Sequence, residues 1–358
     1  MLESIYLRTL ERCRPETLVH VPDDAPRDVV AIGKCAAALF RGVREYRDAL
    51  VIVPEGYDAE GSGRLVRSVR DERTRRPLPS RSVEHLTGGH PDLTPASFAA
   101  GKRLLEFVDQ HDDILFLISG GGSACVEWPL EGYTFEQLTK INHELVASGR
   151  PIGEINAERR TYSAIKGGRL GARVRGRCVT LVYSDVSTGK LEDVASGPVL
   201  ENMQLIADNS TLVRTAAEIA GNAIVWNDQI ECDVQAAAER LADAARKLGK
   251  GEFLVAGGEP TIAHTGNGKG GRCCELAARF ALQQVTGVEA LFGSSDGVDG
   301  NSGVAGAIVP ANAPVDRHRI ESELHDSNSL AVVEMLGRAI MIPPTGNNLR
   351  DLVLLARA

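Results

Sequence analysis

Short apolar runs in this chain end, one after another, in glycine or a charged residue. Asp28–Ile32 leads into Gly33-Lys34, and Ile114–Ile118 into Ser119-Gly120-Gly121-Gly122-Ser123. Val179–Tyr183 leads into Ser184-Asp185, and Phe253–Ala256 into Gly257-Gly258-Glu259. Glu289–Phe292 leads into Gly293-Ser294-Ser295-Asp296-Gly297-Val298-Asp299-Gly300. Such runs, bounded by turn residues, read as buried strands, with Val51–Val53 as another. Helical spacing lies between them. Thr94 can cap a helix that Pro95 opens, with Phe98, Leu104, Leu105 and Val108 on one face. Val234, Ala237, Ala238, Leu241, Ala245 and Leu248 form a second apolar stripe, read as core-facing. Alternating strands and helices predict an α/β protein with a mostly parallel sheet. In such sheets ligands bind beyond the carboxyl ends of the strands, so these polar turns can form one composite site. Each alone also fits an ordinary tight turn.

The chain has 358 residues, enough for two domains, and the boundary is expected between residues 225 and 250. With 43% hydrophobic and 25% charged residues it is a packed globular sequence. A formal charge of -8 argues against nucleic acid as the main partner. It leaves room for a locally basic site that takes an anionic substrate. The seven cysteines are scattered and include no CxxC pair, which reads as reduced thiols rather than disulfides or a zinc ribbon. No signal core and no membrane-spanning apolar run is present, so a cytoplasmic protein without a membrane partner is expected. The polar, basic stretch Asp71–Arg81 reads as a surface loop.

The turns differ in the chemistry they offer. Ser119-Gly120-Gly121-Gly122-Ser123 lets backbone N–H groups approach a phosphate or carboxylate, although a plain strand-to-helix turn would also use three glycines. The loop Gly266–Arg272 carries Lys269 and Arg272 and precedes a helix from about Cys273, where Arg272 can clamp a phosphate. Lys166-Gly167-Gly168-Arg169 again sets cations beside glycine, as a binding loop or a glycine-capped helix end. Asp185, Asp296 and Asp299 are candidates for Mg²⁺, with an Asx turn as the alternative at each. His90, in Gly89-His90-Pro91-Asp92, is a substrate-binding or a structural histidine. There is no GxxxxGK[ST] loop, no GxGxxG after a strand and no GxSxG elbow. P-loop kinases, Rossmann dehydrogenases and α/β-hydrolases are thereby disfavoured.

In this order, ISGGGSA (118–124), SAIKGGRL (163–170), SDV…ASGP (184–198), GGEPTI (257–262), GKGGR…E (268–275), SDGVDG…AGAIV (295–309) and TGNNLRDL (345–352) resemble the glycerate 2-kinases of the MOFRL type. AIGKCAAAL (31–39) and GGHPDLTPAS (88–97) extend the resemblance over nearly the whole chain. It implies a larger Rossmann-like, mostly parallel N-terminal domain (1–235), a smaller C-terminal α/β domain (236–358), and a site in the cleft between them. It implies transfer of the ATP γ-phosphoryl group to the 2-hydroxyl of D-glycerate or a related hydroxy acid, with Mg²⁺. Lys34, Asp185 and Arg272 are then the expected catalytic residues. Ser119, Gly120, Gly121, Gly122, Ser123, His90, Lys166, Glu259 and Lys269 are expected to bind substrate or phosphate, and Asp296 and Asp299 the metal. The partner is a small hydroxylated molecule, and a homodimer is an open assembly.

The sequence departs from the family at several points. Cys273-Cys274 stand where the family has Asn-Gln, Ser187-Thr188-Gly189-Lys190 replaces a Pro-Gly-Asp type turn, and Ser295 replaces Thr. Asn347–Asp351 replaces a Thr-Asn-Val-Asn-Asp stretch. Cys barely donates hydrogen bonds, so the 273–274 exchange implies an altered acceptor or weakened activity. Rival readings are a kinase for another metabolite or polyol, a non-catalytic ligand-binding paralogue, and a hydroxypyruvate reductase, the last disfavoured by the missing dinucleotide fingerprint.

Overall fold

The computed structural model describes residues 1–57, 63–67, 81–150, 152–186 and 190–357. The expected loop from Asp71 lies outside them up to Ser80, as does the departure at Ser187-Thr188-Gly189; Arg81 opens a strand. Two compact units share the chain: a central unit, Pro15–Ile206, and a composite unit that joins Met1–Arg14 to Ala207–Ala358. This division falls before the expected boundary at 235/236 and returns the N-terminal helix to the C-terminal half.

The central unit holds β1 (Asp28–Ile32), β2 (Asp48–Pro54), β3 (Gly63–Arg67), β4 (Arg81–Gly88), β5 (Ile114–Ser119), β6 (Cys178–Tyr183) and β7 (Met203–Ala207). Its helices are α2 (Pro15–Leu18), α3 (Ala36–Arg41), α4 (Pro95–Gln110), α5 (Gly122–Cys125), α6 (Phe135–Ala147) and α7 (Ile152–Tyr162), with α1 (Leu2–Arg12) belonging to the composite unit. The strand order is β3-β4-β2-β1-β5-β6-β7. β4, β2, β1, β5 and β6 run parallel, and β3 pairs antiparallel with β4 at the edge. β1 and β5 are buried along their whole length, which is why they read as unbroken apolar runs. Register fixes what meets at the carboxyl edge: Ile32 lies beside Ile118, Ser119 beside Tyr183, and Pro54 beside Gly88. The turns that follow β1, β4, β5 and β6 therefore gather at one edge. Thr94 caps α4 in a capping box with Ser97, and Pro95 is its first residue, as its sequence predicts.

The composite unit has β8 (Ala223–Val225), β9 (Phe253–Gly258), β10 (Val288–Ser294), β11 (Gly306–Val309), β12 (Arg338–Ile340) and β13 (Asp351–Arg357) in the order β12-β11-β10-β13-β9-β8. Here the sheet is mixed. Only β8 and β9 run parallel among the described pairs; β13 enters antiparallel between β9 and β10, and β11 and β12 extend the antiparallel side. α8 (Asn209–Ala220), α9 (Val234–Arg246), α10 (Arg272–Leu282), α11 (Arg317–His325) and α12 (Ser329–Leu336) complete the unit. The predicted stripe from Val234 to Leu248 is buried in its core, together with Phe280, Phe292 and Leu355.

Helix α1 is fastened by Tyr6, which is fully buried and donates its hydroxyl to the Ser294 carbonyl at 2.5 Å. Burial, and then the nearby Cys273, Asp351, Asp296 and Asp299, hold the phenol well above its ordinary pKa, so it stays a donor. Tyr6→Phe would remove one of two donors to that carbonyl, the Gly297 N–H at 3.3 Å remaining, and is expected to cost about 0.5–1.5 kcal/mol. Urea unfolding of the variant, followed by circular dichroism, measures this loss; an unchanged midpoint would separate α1 from the stability of the composite unit.

Candidate active site

At the carboxyl edge of the central sheet the chain comes close to itself through glycine. Gly33 and Gly121 occupy left-handed backbone, at φ 115° and 79°. A Cβ on Gly33 would strike the Ser119 backbone, and one on Gly120 would strike the Asp185 carboxylate. The Lys34 N–H donates to the Gly120 carbonyl at 2.8 Å and the Cys35 N–H to Ser119 Oγ at 3.0 Å. The turns after β1 and β5 are thus locked together. The Lys34 stem and the His90 ring both flank Gly121, and the Lys34 ammonium lies 5.6 Å from the centre of the Tyr57 ring.

A cavity of about 360 Å³ opens at this edge, lined by Gly120, Gly121, Ser123, His90, Asp185 and Arg159, among others. The segment Ala195-Ser196 forms another wall with both residues in left-handed backbone, φ 53° and 62°. Such conformations concentrate at functional sites. His90 is exposed, yet surrounding protein mass and the Lys34 and Arg159 cations disfavour its imidazolium, and its pKa falls to about 4. It is therefore a neutral imidazole in the working pH range.

Arg159, on α7, is absent from the residues singled out in the sequence. Its residue is 7% exposed. Its guanidinium donates to Asn142 Oδ1 at 3.0 Å, to Ser123 Oγ at 3.4 Å and to Asn156 Oδ1 at 3.5 Å. Burial lowers its pKa, and the more distant Tyr162 and Glu127 act the other way. One signal was legible: Ile155, Asn156 and Arg159 stand one and four residues apart, on one helical face. The flanking Glu158 and Arg160 disguise that face as a solvated charge run.

Lys166 is placed otherwise than expected. It is 1% exposed, and its ammonium donates to Glu127 at 2.5 Å and to the Val126 carbonyl at 3.3 Å. Glu127 also accepts from Ser163 Oγ and from the Trp128 N–H. Lys166 of the SAIKGGRL motif is thus the ion-pair partner of a buried carboxylate.

The second set of motifs meets in the composite unit. Arg272 pairs with Glu259 at 2.8 Å and Asp351 at 3.2 Å, and Arg350 pairs with Glu259 at 3.2 Å and Glu231 at 2.7 Å. This network ties the GGEP, GKGGR and NLRD segments together. Burial works against the Arg272 charge, but Asp351 and Glu259 outweigh it and its pKa is raised. Burial carries the Asp351 carboxyl up to about 7 in spite of Arg272. Asp351 Oδ1 is buried with no hydrogen-bond partner among the described residues. The Lys269 side chain is exposed, while its backbone N–H donates to Asn328.

Asp299 is buried and accepts from the backbone N–H groups of Cys273 and Cys274, at 3.0 and 2.8 Å. Both its oxygens are committed to the start of α10. Asp296 forms the Asx turn that was its alternative reading: Oδ1 accepts from the Val298 N–H and from Ser294 Oγ. Cys273 and Cys274 point into the hydrophobic core, at 2% and 0% exposure, and burial raises both thiols. The expectation that they reshape an acceptor site is corrected: thiols pack well in a core and donate little anywhere. Among the described residues, Asp28, Asp48 and His111 are the one acidic and histidine group close enough to share an ion. They lie at the opposite, amino-terminal side of β1 and β2, and Arg47 already pairs with Asp28.

An α/β fold with glycine turns, Arg159, Asp185 and Asp193 around one cavity defines a candidate small-molecule site. Residues 3–226 match a family described as a domain of unknown function, DUF4147, and residues 252–351 match the MOFRL family. The D-glycerate 2-kinase of Thermotoga maritima is 29% identical, with 91% of this chain and 89% of that protein covered. The glycerate 2-kinase of Sulfurisphaera tokodaii is 30% identical, with 94% and 91% covered. The crystal structure of glycerate kinase from Thermotoga maritima matches with a TM-score of 0.84 at 27% identity, covering 99% of this chain and 98% of that one. The chain belongs to the glycerate 2-kinase family of the MOFRL type.

Two measurements follow from this geometry. Lys166→Met leaves Glu127 buried and uncompensated, an expected loss of about 3–5 kcal/mol seen as a lower urea midpoint. Unchanged stability would return Lys166 to the list of ligand-binding cations. NMR of the His90 ring should show a titration midpoint near pH 4; a midpoint near 6.5 would mean that neither its desolvation nor the Lys34 and Arg159 cations act on it.

Proposed function

We propose that this protein is a glycerate 2-kinase that transfers the γ-phosphoryl group of ATP to the 2-hydroxyl of D-glycerate. The observation that carries the reading is that Asp185, Gly120, Gly121 and Ser123 line one cavity, with the Lys34 stem packed beside Gly121, in a chain that matches glycerate 2-kinases over nearly its whole length. In the transfer, the bond from the γ-phosphorus to the bridging oxygen breaks and a bond to the 2-hydroxyl oxygen forms. Asp185 takes the hydroxyl proton, the work of a general base, from its place against Gly120. Lys34 offsets charge on the transferring group, because its stem packs beside the glycine turn and its ammonium lies 5.6 Å from the centre of the Tyr57 ring. Neutral His90 can donate or accept a hydrogen bond to substrate without adding charge.

Of the two aspartates expected to hold metal, Asp296 fits. It is half-buried and its hydrogen bonds fall on Oδ1, leaving a hard oxygen to Mg²⁺, which takes few protein carboxylates beside phosphate oxygens. Asp299, committed to α10, does not. Mg²⁺ would supply charge neutralisation on the nucleotide phosphates. Arg272 keeps a role in positioning Glu259 and Asp351 rather than standing as a free cation. The free cysteines suit a reducing compartment, and we place the protein in the cytoplasm. No described helix is long and apolar enough to cross a membrane.

The test is ADP release with ATP and Mg²⁺ across a panel of small hydroxy acids and polyols, with NADH oxidation by hydroxypyruvate run alongside. D-glycerate should give the highest kcat/KM, and NADH should persist. Lys34→Met should lower kcat on the order of 10²- to 10³-fold, with the melting temperature nearly unchanged. Near-normal turnover with a sharp drop in melting temperature would make Lys34 a structural residue.

A further inference from the structure

We propose that Arg159 binds the carboxylate of the acceptor, so that this cavity selects hydroxy acids over neutral polyols. The proposal rests on the kinase reading above and assigns its acceptor contact. Arg159 projects from α7 into the wall of the 360 Å³ cavity that also exposes Ser123, Asp185 and His90. Its hydrogen-bond partners are neutral: the Asn142 and Asn156 carbonyl oxygens and the Ser123 hydroxyl, the last two at 3.5 and 3.4 Å. Two carboxylates near it are paired with other cations. Glu127 is bonded to Lys166, and Asp193 to Arg160 at 2.7 Å. Asp185 stands against Gly120.

A guanidinium as buried as this one is costly unless an anion completes it. The long bonds to Ser123 and Asn156 hold the fork in the cavity wall without satisfying its charge. Asn156 is itself fixed by Ser196, whose hydroxyl donates to it at 2.9 Å, and Ser123 lies 2.8 Å from the same hydroxyl. The arginine is thus oriented by a rigid neutral shell, the arrangement that suits a planar two-oxygen ligand. A polyol hydroxyl cannot supply the missing charge, and a carboxylate can. Lys34, on the other side of the Gly121 turn, is left for the transferring group.

Wild type, Arg159→Lys and Arg159→Met are compared with ATP and Mg²⁺ on D-glycerate and on glycerol, its neutral three-carbon analogue. Melting curves are recorded with sodium D-glycerate and with sodium chloride at equal ionic strength. The Met variant should lose roughly 10²-fold in kcat/KM for D-glycerate, mostly through KM, collapsing the ratio of acid to polyol. The Lys variant keeps the charge but loses the planar fork, and its KM should also rise. D-glycerate should raise the melting temperature of wild type and not of the variants. A folded Arg159→Met with the wild-type KM for D-glycerate overturns the proposal. If that variant does not fold, an unchanged KM in Arg159→Lys does the same. If wild type turns over no acceptor, the kinase reading fails on its own. The melting shift then decides Arg159 separately: a shift lost in Arg159→Lys upholds carboxylate binding, and no shift in wild type overturns it.

Discussion

The central unit depends on backbone passing where no side chain fits. Gly33 crosses the end of β5 at Ser119, and Gly120 lies against the Asp185 carboxylate. Parallel register delivers the ends of β1, β5 and β6 to the same edge, and the missing Cβ atoms let the turns close on each other there. Two backbone-anchored bonds, Lys34 N–H to Gly120 O and Cys35 N–H to Ser119 Oγ, then fix the turns in one arrangement. Lys34, His90 and Asp185 inherit their positions from this contact. A side chain at Gly33 would strike the Ser119 backbone and one at Gly120 the Asp185 carboxylate, so the glycines act on chemistry through geometry rather than by touching substrate.

Most of this edge was legible because its signal is local. A strand buried on both faces writes itself as an apolar run, and the turn after it writes itself as glycine with a polar residue. That is how β1, β5, β6 and β9 and their turns could be found, and how Thr94-Pro95 announced α4. The antiparallel composite sheet was not legible. β13 comes from the end of the chain and inserts between β9 and β10, and nothing in a strand's own sequence states which neighbours it will take. Where the N-terminal helix docks was not legible for the same reason: its partner, Ser294, is 288 residues away.

Residue roles were harder to read than elements, because a role depends on partners. Lys166 and Arg272 both stand beside glycines, the setting of a phosphate-binding cation. Glu127 neutralises one, and Glu259 with Asp351 neutralises the other. Glu127 lies 39 residues from Lys166 in sequence, and Asp351 lies 79 from Arg272, so no local pattern reveals either pair. Cys273 and Cys274 illustrate the converse. They occupy a family position that invites a functional reading, but the helix they open turns their thiols into the core and offers its amides to Asp299. Of the Cys pair, the backbone carries the polar bond and the side chains carry the packing.

The charged residues therefore sort by whether the protein itself completes them. Lys166 and Arg272 are completed, so their removal strikes at folding before it reaches any ligand. Arg159 is held by neutral oxygens, and the Lys34 ammonium lies 5.6 Å from the centre of the Tyr57 ring. A protein selected for stability alone would replace a cation as buried as Arg159 or give it a carboxylate, since an unmatched buried charge is a standing cost. Arg159 lines the cavity and the Lys34 stem packs beside Gly121 at its edge, so in the proposed reaction the compensating negative charge would arrive with the substrate. A substrate that brings a carboxylate and receives a phosphoryl group supplies negative charge twice, which is one anion for each of the two uncompensated cations.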